Sequence, residues 1–415
     1  MVCTRFFFRY AAAWSLTLAA STAAIAQAGL SFDEATRLAR EQAPALAAQQ
    51  QALAGAQAAE PAAATLPDPR LTVGVDNLPV TGPDRGSLTR DFMTMQRIGL
   101  MQEVPNAAKR QARAAGAQAR VERERALLVV AELAVRRDAA LAWLATYFAE
   151  QRLAQIDALA RENATMASTL EARVAAGKAL PAERTAARQE ALALADRRDD
   201  ALRDIAKARA ALRRWVGARA DAPLAGLTPE FSVTSDAAHI DPQRLAEIAP
   251  FAAMQAQAQA DVREADAEQR GDWAWGVNYS RRGPQFSDMV SVQLSIDLPW
   301  LRERRQQPLL AARQRDLARV EAEREDSLRR SGEAIEAQQA ELKALDTQRA
   351  RLHTQGLSLA SERVALSLAS YEAGQADLTS VFSARREALE TGLRLVELDA
   401  QRAALRVRLS TLIAE

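Results

Sequence analysis

The sequence predicts a mainly α-helical protein with a transmembrane β portion, built from duplicated halves. Three observations predict it. The stretch 273–298 reads as a hairpin with one apolar and one polar face, and almost everything else reads as long Ala/Arg/Glu-rich helix. The third is that the order helix, strand, loop, strand, long helix, turn, half-length helix occurs twice.

In the hairpin, Trp273, Trp275, Val277 and Tyr279 alternate with Ala274, Gly276, Asn278 and Ser280. After the turn Arg281-Arg282-Gly283-Pro284, the run from Val290 to Leu298 alternates again without a fault. Successive side chains of a strand point to opposite faces, so each run has an apolar and a polar side. A soluble pair packed on a core would alternate in the same way. What separates the readings is that no other strand-rich region exists to complete a soluble sheet. A barrel strand needs about ten residues, apolar toward lipid, polar toward the lumen, with aromatics at the interfaces. Trp273, Trp275 and Tyr279 therefore read as lipid-facing interface anchors and not as ligand-stacking residues.

The chain has 415 residues, 48% hydrophobic but only 5% aromatic, and much of the apolar share is alanine. Helices of this kind pack closely along narrow Leu/Val seams and favour long bundles over a globular enzyme. With 54 basic and 53 acidic residues the net charge is +1, which gives no general attraction for nucleic acid.

Residues 1–26 read as a secretory signal. Arg5 and Arg9 form the positive region, an apolar segment follows, and Ala24-Ile25-Ala26 is the cleavage site, so the mature chain is expected to begin at Gln27. The single cysteine, Cys3, lies inside this leader, which leaves no disulfide or thiolate metal site in the mature chain. No later segment approaches about 18 consecutive apolar residues, so membrane passage has to use strands.

In chain order, Ser31 with Glu34 offers a capping box for a helix over 31–60, ended by Pro61, Pro67 and Pro69. Leu71 to Asp76 alternates as a strand, 77–90 is a long loop, and a second strand covers 92–104. Past Pro105 a helix is expected over 106–174, about 100 Å long. A turn at 175–181 and a half-length helix to Trp215 follow, and 217–242 reads as a non-helical linker. The second pass gives a long helix over 308–370, a turn at 371–378 and a half-length helix ending near Ile413.

The halves match at several points. Ala43-Pro44 corresponds to Ala249-Pro250, Val73-Gly74-Val75-Asp76 to Trp275-Gly276-Val277-Asn278, and Val104-Pro105 to Leu298-Pro299. Ala187-Arg188-Gln189-Glu190-Ala191-Leu192 follows Gly177 at the offset at which Ala384-Arg385-Arg386-Glu387-Ala388-Leu389 follows Gly374. The domain division is thus 1–26 leader, 27–216 first repeat, 217–242 linker and 243–415 second repeat. Four strands cannot close a barrel, since known ones start at about eight, so oligomerisation is required and a homotrimer gives twelve.

Taken together, the leader, the duplicated halves, the strands, the long helices and the two tip turns resemble the TolC-like outer-membrane efflux proteins. The tip motifs carry most of the resemblance: Arg173 with Gly177 and Leu180, and Tyr371 with Gly374 and Leu378. The segments Leu66-Pro67-Asp68-Pro69, Asp76-Asn77-Leu78-Pro79 and Asp91-Phe92-Met93-Thr94-Met95 resemble the heavy-metal branch, the CusC and CzcC type. The resemblance implies a trimeric twelve-stranded barrel in the outer membrane continuing into a periplasmic α-helical barrel. It also implies partners: a periplasmic adaptor, an inner-membrane proton-driven pump and outer-membrane lipid. The cargo it implies is heavy-metal cations, with drug export or type I polypeptide secretion as the alternatives, and no cofactor. In the family's prototype, acidic residues six and nine positions past the second tip glycine ring the closed aperture. Ser380 and Ser383 stand there in this chain, and the nearest acid, Asp377, either faces the lumen or caps the helix starting at Leu378.

Enzymatic constellations are missing: His239 and His353 lie far apart and no phosphate loop or nucleophile elbow appears. Aligning the second strand through Pro105 and Pro299 puts Ile98, Leu100 and Val104 on the lipid face. Met93, Met95, Arg97, Gly99, Met101 and Glu103 then fall on the lumen face. Thioethers suit soft ions such as Cu(I), so Met93, Met95 and Met101 are candidates for transient metal contact, with space-filling or a slipped register as the alternatives and no stable site expected.

Overall fold

The computed structural model describes residues 29–177, 179–226 and 241–412. The expected leader with Cys3, the later part of the linker with His239, and the expected helix end at Ile413 lie outside the described residues.

Helix α1, Phe32–Gln42, forms half of the expected capping box: the Ser31 hydroxyl accepts the Glu34 N–H at 3.2 Å, while the Glu34 carboxylate, in the positive first turn with Asp33, pairs with Arg219 at 2.9 Å. It stops at Ala43, whose backbone is extended because a proline follows, and α2, Pro44–Ala64, begins with that proline at its first turn. The single expected helix is therefore two. Pro61 does not end α2, which runs through it to Ala64; so near the C-terminus only one internal bond is lost.

The strands are β1 (Arg70–Asp76), β2 (Met95–Val104), β3 (Trp273–Arg281) and β4 (Met289–Ile296), hydrogen-bonded in sequence order as one four-stranded antiparallel sheet. β2 begins at Met95 and not at Phe92. Phe92 and Met93 belong to a turn closed by the Asp91 carboxylate on the Met93 N–H (2.7 Å) and by Asn77, which has φ 56° and bonds the Met93 carbonyl at 3.3 Å.

Helix α3, Ala107–Ala175, has 69 residues, about 100 Å at 1.5 Å per residue. Helix α4, Pro181–Val216, returns half that distance. The following linker is not wholly irregular: Gly217–Asp221 is a 3-10 turn, and Leu224 forms an isolated parallel bridge with Leu30. Helix α5, Ala249–Ala267, leads into β3. The second rod spans α6 (Gln306–Arg351), a π turn (Leu352–Gly356) and α7 (Leu357–Glu372), so it starts earlier and ends later than expected and carries a wide turn with no counterpart in α3. Helix α8, Leu378–Ser410, returns along it.

The core is thin and distributed, as the alanine-rich composition requires. The buried residues of α3 and α5 include Ala112, Gly116, Ala119, Ala253 and Ala260, small side chains that let the backbones approach closely. The thickest packing is at mid-length, where Trp143 is fully buried, donates its indole N–H to the Leu30 carbonyl at 3.0 Å, stacks on Tyr147 and meets the edge of Phe32. Leu30, Leu212, Val216, Ala220 and Val407 close around it, tying the segment before α1 and the start of the linker to α3, α4 and α8.

Candidate functional site

Two places carry the chemistry: the sheet with its junctions to the rods, and the tips of the helical hairpins. In the sheet the pairing register fixes both faces. Val73, Ile98, Tyr279 and Val290 lie in one cross-strand row, Leu71, Leu100, Val277 and Val292 in the next, and Val104, Trp273 and Ile296 in another. These side chains share one exposed apolar face, where Trp273, Trp275 and Tyr279 lie as the alternation predicts. The Tyr279 hydroxyl donates to Asp288 at the end of the β3–β4 loop.

The opposite face is polar. Thr72, Gly99, Asn278 and Ser291 form one row, and a Cβ at Gly99 would overlap the Asn278 carboxamide and crowd the Thr72 hydroxyl. Its charges are paired: Arg70 with Glu103 at 3.1 Å and Arg97 with Asp76 at 3.3 Å. Met95 and Met101 are on this face, but six residues apart on one strand, about 20 Å, so they form no common ligand set. Met93 is off the strand, which corrects its expected place on the lumen face. Met289, passed over in the sequence, lies on the polar face opposite Ser280. Among the described residues no group of three or more His, Cys, Asp or Glu is disposed to hold a metal ion.

The two strand-to-helix junctions differ. In the first half the Asn106 side chain caps α3 through the Lys109 N–H at 2.9 Å and also donates to Asp272 at 3.0 Å. Burial pushes the Asp272 carboxyl up, but the Asn106 backbone N–H and the Lys109 ammonium outweigh it and hold it below the ordinary aspartate range. In the second half Asp297 donates its N–H to the Asp272 carbonyl at 2.8 Å, so close that a Cβ at Gly271 would overlap the Asp297 carbonyl. The chain then makes the exposed loop 298–305 before α6, whose start has no side-chain cap.

At the tips, Gly177 (φ 67°) and Gly374 (φ 75°) both hold the left-handed conformation, with open space around a would-be Cβ. Backbone conformation and not crowding is what demands glycine there. The local bonds repeat: Gly177 N–H to the Val174 carbonyl and Gly374 N–H to the Tyr371 carbonyl, each 3.0 Å. The residues after them diverge. Leu180, at the start of α4, is 67% exposed, whereas Leu378 is 1% exposed and packs with Leu170, Ala187, Val381 and Phe382. Asp377 takes the capping role: its carboxylate accepts the Ser380 N–H at 3.1 Å, and the Thr379 hydroxyl and that N–H hold it below the usual range. Ser383 is exposed and Ser380 half-buried.

Arg173 and Tyr371, singled out separately in the two halves, meet in space. The Arg173 guanidinium lies 5.4 Å from the Tyr371 ring centroid, and the Tyr371 hydroxyl donates to Glu183 at 3.3 Å. Burial, then the Glu183 charge, raises the Tyr371 phenol. The duplicated Ala-Arg-x-Glu motifs meet as well: Arg386 pairs with Glu190 at 2.6 Å, and Arg385 donates to Asn163 at 3.0 Å. Glu190 is 5% exposed. Sequence reading missed Glu183, Glu190 and Asn163 because each is an ordinary helix residue until the second hairpin is laid beside the first.

No protein-family model matches the chain, and no curated protein matches it in sequence. Solved structures do match in shape. A membrane protein from Pseudomonas aeruginosa superposes with a TM-score of 0.79 at 16% identity, over 92% of this chain and 93% of that one. CusC, in a structure that concerns folding and transmembrane channel formation, gives 0.77 at 15% identity over 92% of each chain. The outer membrane protein VceC from Vibrio cholerae gives 0.75 at 17% identity, over 92% and 95%. Over nearly its whole length, the chain has the fold of these membrane proteins.

Proposed function

We propose that the protein is the outer-membrane exit channel of a tripartite efflux system. Three copies pool their sheets into a twelve-stranded barrel with the apolar face in lipid, and the rods continue below it as a hollow helical barrel in the periplasm. The observation that carries this reading is a four-stranded sheet with one exposed, mainly apolar face, crossed by Gln96 and Gln102 of β2 and by Arg281 at the end of β3, and two unpaired edges, on a chain in which no described helix is long and apolar enough to cross a membrane. Edges of this kind are satisfied by pairing β4 of one copy with β1 of the next until the ring closes.

In this reading the channel is passive and has neither catalytic residues nor cofactor. A periplasmic adaptor docks at the tips, near exposed Leu180 and the turns at Gly177 and Gly374, and a proton-driven inner-membrane pump supplies the work. The contacts Arg173–Tyr371–Glu183 and Arg386–Glu190 hold the two hairpins of one copy together, and opening separates hairpins by breaking such contacts. For cargo we propose heavy-metal cations (copper/silver or cobalt/zinc/cadmium), supported by the loop segments at Leu66, Asp76 and Asp91 and by the likeness in fold to CusC. Drugs and polypeptides are the competing cargoes for the same duct.

The test is fractionation followed by planar-bilayer recording. The protein should copurify with outer membranes as a heat-dissociable trimer and give discrete conductance steps. Recovery as a soluble periplasmic species without conductance would refute the reading. Sensitivity of a deletion strain to copper, silver, zinc, cobalt and cadmium, with none to drugs, is the result expected for the proposed cargo.

A further inference from the structure

β4 ends at Ile296, but the apolar alternation of its sequence runs on into the turn that follows. Val290, Val292, Leu294 and Ile296 are followed in the same alternation by Leu298 and Trp300, and Trp300, 85% exposed, is the most exposed large apolar side chain described. Leu301 beside it is also exposed. Arg302, Arg304 and Arg305 follow at once, all exposed, opposed by the single acid Glu303. None of the three guanidinium groups has an ion-pair or hydrogen-bond partner among the described residues. The first half has no such loop: there Pro105 and Asn106 pass directly from β2 into α3.

We propose that residues 298–305 are a docking site for anionic phospholipid of the periplasmic leaflet, an inference that rests on the membrane reading above. An indole at the end of a lipid-facing strand sits at headgroup depth. Leu298 and Leu301 continue the apolar surface beside it, and the guanidinium groups lie where lipid phosphates are found. Arginine matches phosphate oxygens with paired N–H donors, which a neutral zwitterion satisfies less well than a headgroup with net negative charge. A loop meant only for water has no use for Trp300 and Leu301, and the three guanidinium groups call for a counter-charge from outside the chain. The occupant that answers both features is an anionic lipid. The loop occurs once per chain, so a trimer carries three sites, and outer-membrane proteins of the same fold need not share it.

The test uses the full-length trimer reconstituted in nanodiscs of mixed phosphatidylcholine and phosphatidylglycerol, with retained lipid measured by native mass spectrometry. Wild type should retain phosphatidylglycerol above its bulk share. The R302Q/R304Q/R305Q variant should lose that enrichment while keeping wild-type conductance, and R302K/R304K/R305K should keep part of it. Equal enrichment in wild type and the glutamine variant would overturn the proposal. So would trimers of the glutamine variant that fall apart in every lipid mixture, since the loop would then be a contact between copies. Wild type that inserts without enrichment sinks this inference alone; wild type that never enters a bilayer sinks the duct reading as well.

Discussion

Asn106 and Asp272 bind each other twice, although 166 residues separate them: the Asp272 carboxylate accepts the Asn106 backbone N–H at 2.8 Å and its side-chain amide at 3.0 Å. The Lys109 ammonium adds a third bond at 3.2 Å. One carboxylate thus ties the start of the first rod to the start of β3, and fixes how the sheet stands on the helices.

That bond makes the junction sensitive to acid. The folded Asp272 is held below its ordinary value, so its contribution is complete above that value, about 3.9, and is lost as pH falls through the lowered one. Asp272→Asn should cost about 1–2 kcal/mol at neutral pH. It should also remove part of the loss of thermal stability seen below about pH 4. Thermal melts of both proteins across that range check it; parallel curves would count against the assignment.

The tip glycine predicts a separation of assembly from transport. At φ 75°, Gly374 is in a conformation that proline does not reach, and proline also lacks the N–H given to the Tyr371 carbonyl. Gly374→Pro should leave trimers in the outer membrane and abolish export; Gly374→Ala should cost about 1–2 kcal/mol locally and act more weakly.

Removing Arg386 leaves Glu190 as a buried carboxylate without its partner, a cost of about 1–3 kcal/mol. Arg386→Ala should loosen the contact between hairpins and raise susceptibility to large hydrophilic antibiotics, because the resting aperture leaks. Adding Glu190→Gln should restore stability without closing the leak.

Gly99 predicts a failure of the sheet alone. Valine there would drive into Asn278 and Thr72, so Gly99→Val should give normal helical content by circular dichroism but less of the heat-dissociable trimer than wild type.

The faces of the sheet were legible because period-two alternation is local: Trp273 to Tyr279 and Val290 to Ile296 each declare both sides within one run. The tip glycines were legible for a similar reason, since a left-handed residue closing a helix is most often glycine. The break at Ala43 was also written in the chain, as Pro44 disfavours helix at the residue before it, yet the surrounding alanines disguise it. What stayed hidden depends on distance. Glu190 acquires its role only when Arg386 arrives from the other half. The π turn at Leu352–Gly356 has no local signature, and Gly356 there packs near Leu352 and Thr391 of the neighbouring rod. Trp300 obeys the alternation of β4 but sits beyond Pro299, where a strand is expected to have ended.

Closure of the sheet between copies is the claim on which the duct depends, and disulfide trapping reads it most directly. In a C3S background the chain has no other cysteine, so Val73→Cys on the β1 edge can be combined in turn with Val290→Cys, Val292→Cys or Leu294→Cys on the β4 edge. At least one pair should yield linked species of two and three chains and none larger. Monomers that never cross-link, or an open ladder extending past three, would contradict a closed barrel of three sheets.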